Sequence, residues 1–153
     1  MLSNLDESLE KIALLGGCNY VDGRLVPASA VLDVTRPSDR ALYARTADSD
    51  AASIDDAVQT AHRAWSKGAW RRSAPRDRMR VLRRWADLID SDPMLGWIEA
   101  IGSTRPIREV IGHDVPFTAE GIRFFAEWAD KLGGEFAATS EDKFGAVLNE
   151  PYG

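Results

Sequence analysis

Apolar residues change their spacing along this chain, and the changes mark out its elements. Leu5, Leu9 and Ile12 recur at helical spacing, which predicts a short helix over residues 2–15 ended by Gly16 and Gly17. From Asn19 the period shortens. Residues 20–26 place Asp22-Gly23 between apolar neighbours, a strong hairpin signal, because that pair accepts the backbone a tight turn between strands requires. Pro27 ends it. Two more β-rich runs, 31–35 and 41–46, flank Arg36-Pro37-Ser38-Asp39-Arg40, a turn by composition.

A longer period then takes over. A helix is predicted to open at Ser53, with its hydroxyl accepting from the backbone at Asp56 and two acids at the positive end of the dipole. Ile54, Val58, Ala61 and Trp65 form its apolar stripe, and Gly68 is the expected stop. Ser73-Ala74-Pro75 starts the next helix, with Met79, Leu82, Trp85, Ala86 and Ile89 as its buried face. After Asp92-Pro93, residues 94–101 continue helically until Gly102-Ser103-Thr104 interrupts. A further helix runs from about Ile107, is disturbed at Asp114-Val115-Pro116, and resumes to Leu132 with Ile122, Phe125, Trp128 and Ala129 on one side. Gly133-Gly134 stops it, and residues 135–138 and 143–150 read as two strands. Ending on such a strand would leave an unpaired edge, so we expect one continuous piece of a larger fold.

Composition narrows the class. At 153 residues the chain has the length of one domain, and 44% hydrophobic with 28% charged residues is ordinary for a globular protein. A net charge of -5 argues against a polyanion-binding protein as a whole. Cys18 is the single cysteine, which forbids an intrachain disulfide and fits a reducing, cytoplasmic compartment. The acids Asp6, Glu7 and Glu10 precede a short apolar run, unlike a secretory signal, and no window is long and apolar enough for a membrane helix, so no membrane partner is expected.

Chemistry-bearing residues are sparse. Cys18 follows two glycines and precedes a strand; a packed thiol is the plainer reading, a nucleophile the alternative. His62 and His113 fall on different helices without a metal-ligand pattern. Gly16-Gly17 and Gly133-Gly134 follow helices instead of joining a strand to one, unlike a phosphate cradle. Asp55-Asp56 suits a helix dipole and Glu141-Asp142 a polar turn. Arg71, Arg72, Arg76, Arg78, Arg80, Arg83 and Arg84 could neutralise phosphates. However, apolar residues interleave with them and Asp77, Asp87 and Asp90 lie close, so a solvated or subunit-facing flank is favoured and no nucleic-acid partner is expected. No catalytic, cofactor-binding or metal-binding residue emerges.

The order of the pieces resembles the opening of the aldehyde dehydrogenase superfamily from about Tyr20 to Gly153. Residues 20–26 are similar to the family's F-I-N/D-G-x-W-V hairpin. Val34-Thr35-Arg36-Pro37 stands where N-P-x-x-G is usual, with Arg36 for the asparagine. Residues 57–71 resemble A-V-x-A-A-x-x-A-F-x-x-x-x-W, and residues 73–89 resemble S-P-x-x-R-x-x-x-L-x-x-L/W-A-D-L-I. Residues 99–106 take the place of E-T-x-D-x-G-K-P, 123–131 of R-Y-Y-A-G-W-A-D-K, and 149–153 of R-E-P-x-G.

That resemblance implies an α/β fold, mostly helical in this segment, and NAD(P)-dependent oxidation of an aldehyde to a carboxylic acid through a cysteine thiohemiacetal. Residues 1–133 would be the N-terminal part of the coenzyme-binding domain, and 134–153 strands of a bridging, oligomerising element. The catalytic domain, with the nucleophilic cysteine, general-base glutamate, oxyanion asparagine and cofactor turn, lies beyond Gly153 in the family. The isolated chain is therefore expected to be inactive and to bind neither NAD nor NADP; the parent would use one of them, act on a small aldehyde and form a homo-oligomer. A short interaction or oligomerisation protein is the alternative. Phe117, Phe124 and Trp128 would stand near a substrate entrance, with core packing the favoured reading for Trp128. Family members hold a structural monovalent cation near Val34-Thr35 and on the aspartate of E-T-x-D, which here is Gly102, so no metal is carried over.

Overall fold

The computed structural model describes residues 6, 7, 9, 10, 12 and 16–151. Asp6, Glu7, Leu9, Glu10 and Ile12 are helical, in keeping with the first expected helix. Leu2, Leu5 and residues 13–15 of that expectation lie outside the described residues, as do Tyr152 and Gly153.

Strands β1 (Cys18–Val21) and β2 (Arg24–Pro27) form the expected antiparallel hairpin. Asp22 and Gly23 both take positive φ, 53° and 76°, as a type I′ turn demands. Strands β3 (Ala30–Thr35) and β4 (Leu42–Asp48) pair antiparallel behind the 36–40 turn. There Arg36 bonds Asp39 at 2.8 Å, and Asp39 accepts from the Ala41 amide at 3.0 Å. Gly17 joins the two hairpins: its N–H donates to Arg45 and its carbonyl accepts from Ala28, both at 3.0 Å. At φ 74° it is left-handed, and a Cβ there would stand 2.8 Å from Val31 Cγ1, so only glycine fits.

The first long helix, α1 (Ala51–Lys67), begins before Ser53. Asp50 is the cap, its carboxylate accepting from the Ser53 amide at 2.8 Å. A carboxylate caps at least as well as a hydroxyl, and two alanines after it prefer helix, so the start moves one turn upstream. After the single turn α2 (Ala69–Arg72), α3 (Pro75–Ser91) opens on proline as its sequence predicts. In α4 (Pro93–Ser103) the helix passes through Gly102, where an interruption is expected from sequence. Ser103 bonds back to the Glu99 carbonyl at 2.7 Å, and Thr104 supplies the left-handed end at φ 59°.

The disturbance expected at Asp114-Val115-Pro116 takes a specific form. Helix α5 (Ile107–Glu109) widens into a π-helical turn, Val110–Asp114, before α6 (Val115–Glu127). Pro116 has no amide and its ring crowds the carbonyl four residues back, so the ladder opens by one residue there. Helix α6 ends at Glu127, short of Leu132, because the last turn tightens to a 3₁₀ form over Trp128–Asp130 and the Lys131 ammonium takes the Glu127 carbonyl. Strands β5 (Glu135–Ala137) and β6 (Gly145–Val147) pair antiparallel and are shorter than expected.

The helical layer is built on α3 against α6. Ala86, Ala119 and Ala126 are fully buried, so these small side chains leave room for close helix packing. Met94 and Val110 complete the core among the described residues. Much of the apolar pattern finds no cover: Trp85, read as part of a buried face from spacing, is exposed, and so are Phe125, Trp128 and Leu132 further on and Ile54 and Val58 of α1. Periodicity correctly marks the apolar face of each helix; it does not say whether a neighbour lies over it.

Candidate functional site

The chemistry-bearing side chains stay apart. Cys18 opens β1, half-buried, with Pro27 opposite it. His62 lies on the exposed α1, its ring 5.9 Å from Trp65. His113 sits in the π-helical turn, stacked on Phe117 at 5.5 Å and 3.4 Å from the Asp114 carboxylate. Asp114 is already engaged by Arg105 at 2.8 Å. Asp55 and Asp56 fall within α1, and Glu141 and Asp142 in the polar turn, where Ser140 bonds Asp142 at 2.7 Å. Among the described residues no group of three or more His, Cys, Asp or Glu is gathered to hold a metal.

The glycine pairs serve backbone packing. Gly17 joins hairpins, as described, and a Cβ on Gly134 would meet the Val147 carbonyl at 2.2 Å. Neither pair leads from a strand into a helix, so these residues do not form a cradle for a dinucleotide phosphate.

The basic run is largely committed within the layer. Arg76 reaches Asp130 at 3.2 Å, Arg83 reaches Glu127 at 3.1 Å, and Arg80 pairs with Asp77. Arg71 lies 4.7 Å over the Trp65 ring, while Arg72 and Arg78 donate to the carbonyls of Lys67 and Ser73. Asp87 and Asp90, which sequence proximity assigns to those arginines, instead take Arg123 from α6, at 2.9 and 2.6 Å. This run therefore ties α3 to its neighbours. Sequence reasoning missed Arg123 because Asp87, its partner on α3, is 36 residues away in the chain.

Two clefts open on the surface. One, of about 480 Å³, lies between the β1–β2 hairpin and α1 and is mainly polar, with Asn19, Asp22, Arg24, Asp56, Thr60 and Arg63 on its walls. The other, of about 570 Å³, lies over the helical layer between Trp85, Ile89, Leu95 and Ile98, with Glu99 and the Arg105–Asp114 pair beside them.

A third place is a contact with no local signal in the sequence. Thr35 faces Leu42 while Val34 faces Ala44, so Tyr43 is the extra residue of a β-bulge. Its hydroxyl donates to the Ile98 carbonyl of α4 at 3.0 Å, and its ring lies against Gly102. Burial, helped by Glu99, raises the phenol above its ordinary value. Gly102 carries no carboxylate, so the residues here do not fit the structural cation that the resemblance implies.

Comparison with known proteins then decides the family. The model of the aldehyde dehydrogenase family matches residues 25–153. This chain belongs to the aldehyde dehydrogenase family. It is 31% identical to the NADP/NAD-dependent aldehyde dehydrogenase PuuC of Escherichia coli over 137 residues, covering 88% of this chain and 28% of that protein. Among solved structures it superposes on an indole-3-acetaldehyde dehydrogenase in apo form with a TM-score of 0.87 at 31% identity, covering 99% of this chain and 35% of the other. The P. syringae AldA indole-3-acetaldehyde dehydrogenase, solved with NAD+ and IAA, also gives 0.87 at 32% identity, over 97% of this chain and 30% of that one. The chain thus spans about a third or less of the length of these aldehyde dehydrogenases. The mixed architecture, a helical layer with small antiparallel sheets, is that of its neighbours.

Proposed function

We propose that this chain is the N-terminal layer of an NAD(P)-dependent aldehyde dehydrogenase, and that the chemistry belongs to the rest of that fold. The parent reaction is aldehyde plus NAD(P)+ to carboxylic acid plus NAD(P)H. The observation that carries the activity is the family match over residues 25–153. PuuC is described as NADP/NAD-dependent and AldA was solved with NAD+, which supports a nicotinamide coenzyme for the parent.

The surface supports the role as a layer. A compact monomer of 16.8 kDa exposes about 7,700 Å². This chain exposes 11693 Å², an excess of roughly 4,000 Å² over that scaling. The excess includes large apolar side chains on α3, α6 and β5–β6, the kind of surface that a larger fold covers. In this reading residues 1–133 belong to the coenzyme-binding domain and 134–153 to the bridging element through which the parent forms homo-oligomers. Phe117, 71% exposed and stacked on His113, would stand with Phe124 and Trp128 near the substrate path. The compartment is the cytoplasm, a reading that rests on the single cysteine. No described helix is long and apolar enough to cross a membrane.

The test is an assay of the purified chain with a panel of aldehydes and NAD+ or NADP+, followed by absorbance of the reduced coenzyme. No turnover is expected from the chain alone. Turnover is expected when it is co-expressed with the portion of an aldehyde dehydrogenase that follows this layer. Turnover by the chain alone would overturn the assignment of the chemistry elsewhere.

A further inference from the structure

A β-bulge breaks the alternation of β4 and re-aims the side chain of its extra residue, Tyr43. Three observations meet at that side chain. The hydroxyl donates to the Ile98 carbonyl, linking the β3–β4 hairpin to α4 across 55 residues of sequence. A Cβ built on Gly102 would lie 3.4 Å from Tyr43 Oη and 3.5 Å from Cε1, so the ring stands in contact distance of that position. The phenol is raised, first by burial and then by Glu99, so it remains a donor through neutral pH.

We propose that this chain fastens the β3–β4 hairpin to α4 through the Tyr43 hydroxyl in place of a monovalent cation, so its stability does not depend on sodium or potassium. Gly102 offers no carboxylate to a cation, and beside it the Tyr43 hydroxyl already ties the hairpin to the Ile98 carbonyl. The inference rests on family membership and on the geometry at Gly102, and is independent of where the chemistry resides.

Thermal unfolding of the full chain tests it, in sodium, potassium and N-methylglucamine chloride at equal ionic strength. The midpoint is expected to be the same in all three salts, and Tyr43→Phe is expected to lower it by a few degrees in each. A wild-type midpoint several degrees higher in sodium or potassium overturns the proposal, as does a Tyr43→Phe midpoint equal to wild type. If Tyr43→Phe does not fold, the comparison of wild-type midpoints in the three salts decides by itself. Because no step of this test reads turnover, its failure leaves the functional reading intact.

Discussion

Arg123 on α6 and Asp87 on α3 meet at 2.9 Å, and the same guanidinium reaches Asp90 at 2.6 Å and Glu120 at 2.9 Å. Hydrogen bonds to Asp87, then Asp90, then Glu120 hold the guanidinium still more firmly in its charged form. Arg76–Asp130 and Arg83–Glu127 continue the tie between α3 and the α6 end. Replacing Arg123 by methionine keeps much of the apolar stem and removes the charge. A melting midpoint lowered by a few degrees is expected, and the gap from wild type should narrow in high salt as screening weakens the pairs. A gap independent of salt would assign the loss to packing.

Acid should loosen two further points. Asp130 is held below its ordinary 3.8, first by the Lys131 ammonium and then by Arg76. Asp50 is likewise lowered, by its hydrogen bonds with the Ser53 side chain and then the Ser53 backbone. A carboxyl lowered in the folded state stabilises the fold fully above its unfolded value and loses that contribution as pH falls through the folded value. The loss therefore belongs below about pH 4. Asp130→Asn should flatten the acid limb of the stability curve. Asp50→Asn should do the same while keeping the cap, because asparagine also accepts from the helix amides, whereas Asp50→Ala should fray α1 at neutral pH, seen as lost helical circular dichroism. An acid limb unchanged in both asparagine variants would show that other carboxylates control it.

The sequence made the elements legible where the signal was local. Asp22-Gly23 forced its turn, Pro75 opened its helix, and Pro116 announced a break whose form is a π-helical turn. Failures arose wherever the decisive partner was remote. Asp50 displaced Ser53 as cap by only one turn, but Arg123 chose Asp87 and Asp90 on another helix, and the Tyr43 bulge depends on a register no periodicity displays. Cys18, His62 and His113 lie on separate elements in the fold as they do in the pattern. Burial was the least readable property, since apolar spacing marks Trp85 and Phe125 equally well whether or not anything lies over them.

The small residues of the layer give a prediction of packing. Ala86 is fully buried on α3, and Met94 is nearly so on α4. Enlarging Ala86 to leucine should cost about 1–3 kcal/mol by overpacking. Trimming Met94 to alanine should cost about 2–5 kcal/mol through lost transfer energy and a residual cavity. Denaturant unfolding measures both. A neutral Ala86→Leu would mean that α3 and α6 can separate freely, contrary to their close packing.

Uncovered apolar surface predicts how the chain behaves by itself. Phe136 and Phe144 are 81% and 80% exposed and pack edge to face on the β5–β6 hairpin with rings 5.5 Å apart. Phe125, Leu132 and Leu148 add further exposed apolar side chains. Patches of this kind associate in water when no neighbour covers them. The purified chain should therefore self-associate with rising concentration and bind a hydrophobic dye while keeping its helical circular dichroism. Changing Phe136 and Phe144 together to lysine places charge on β5 and just before β6 and should shift the population toward monomer, measured by sedimentation. If the wild-type chain stays monomeric and excludes the dye, these faces are covered by the chain itself, and the roughly 4,000 Å² of excess surface does not persist in solution.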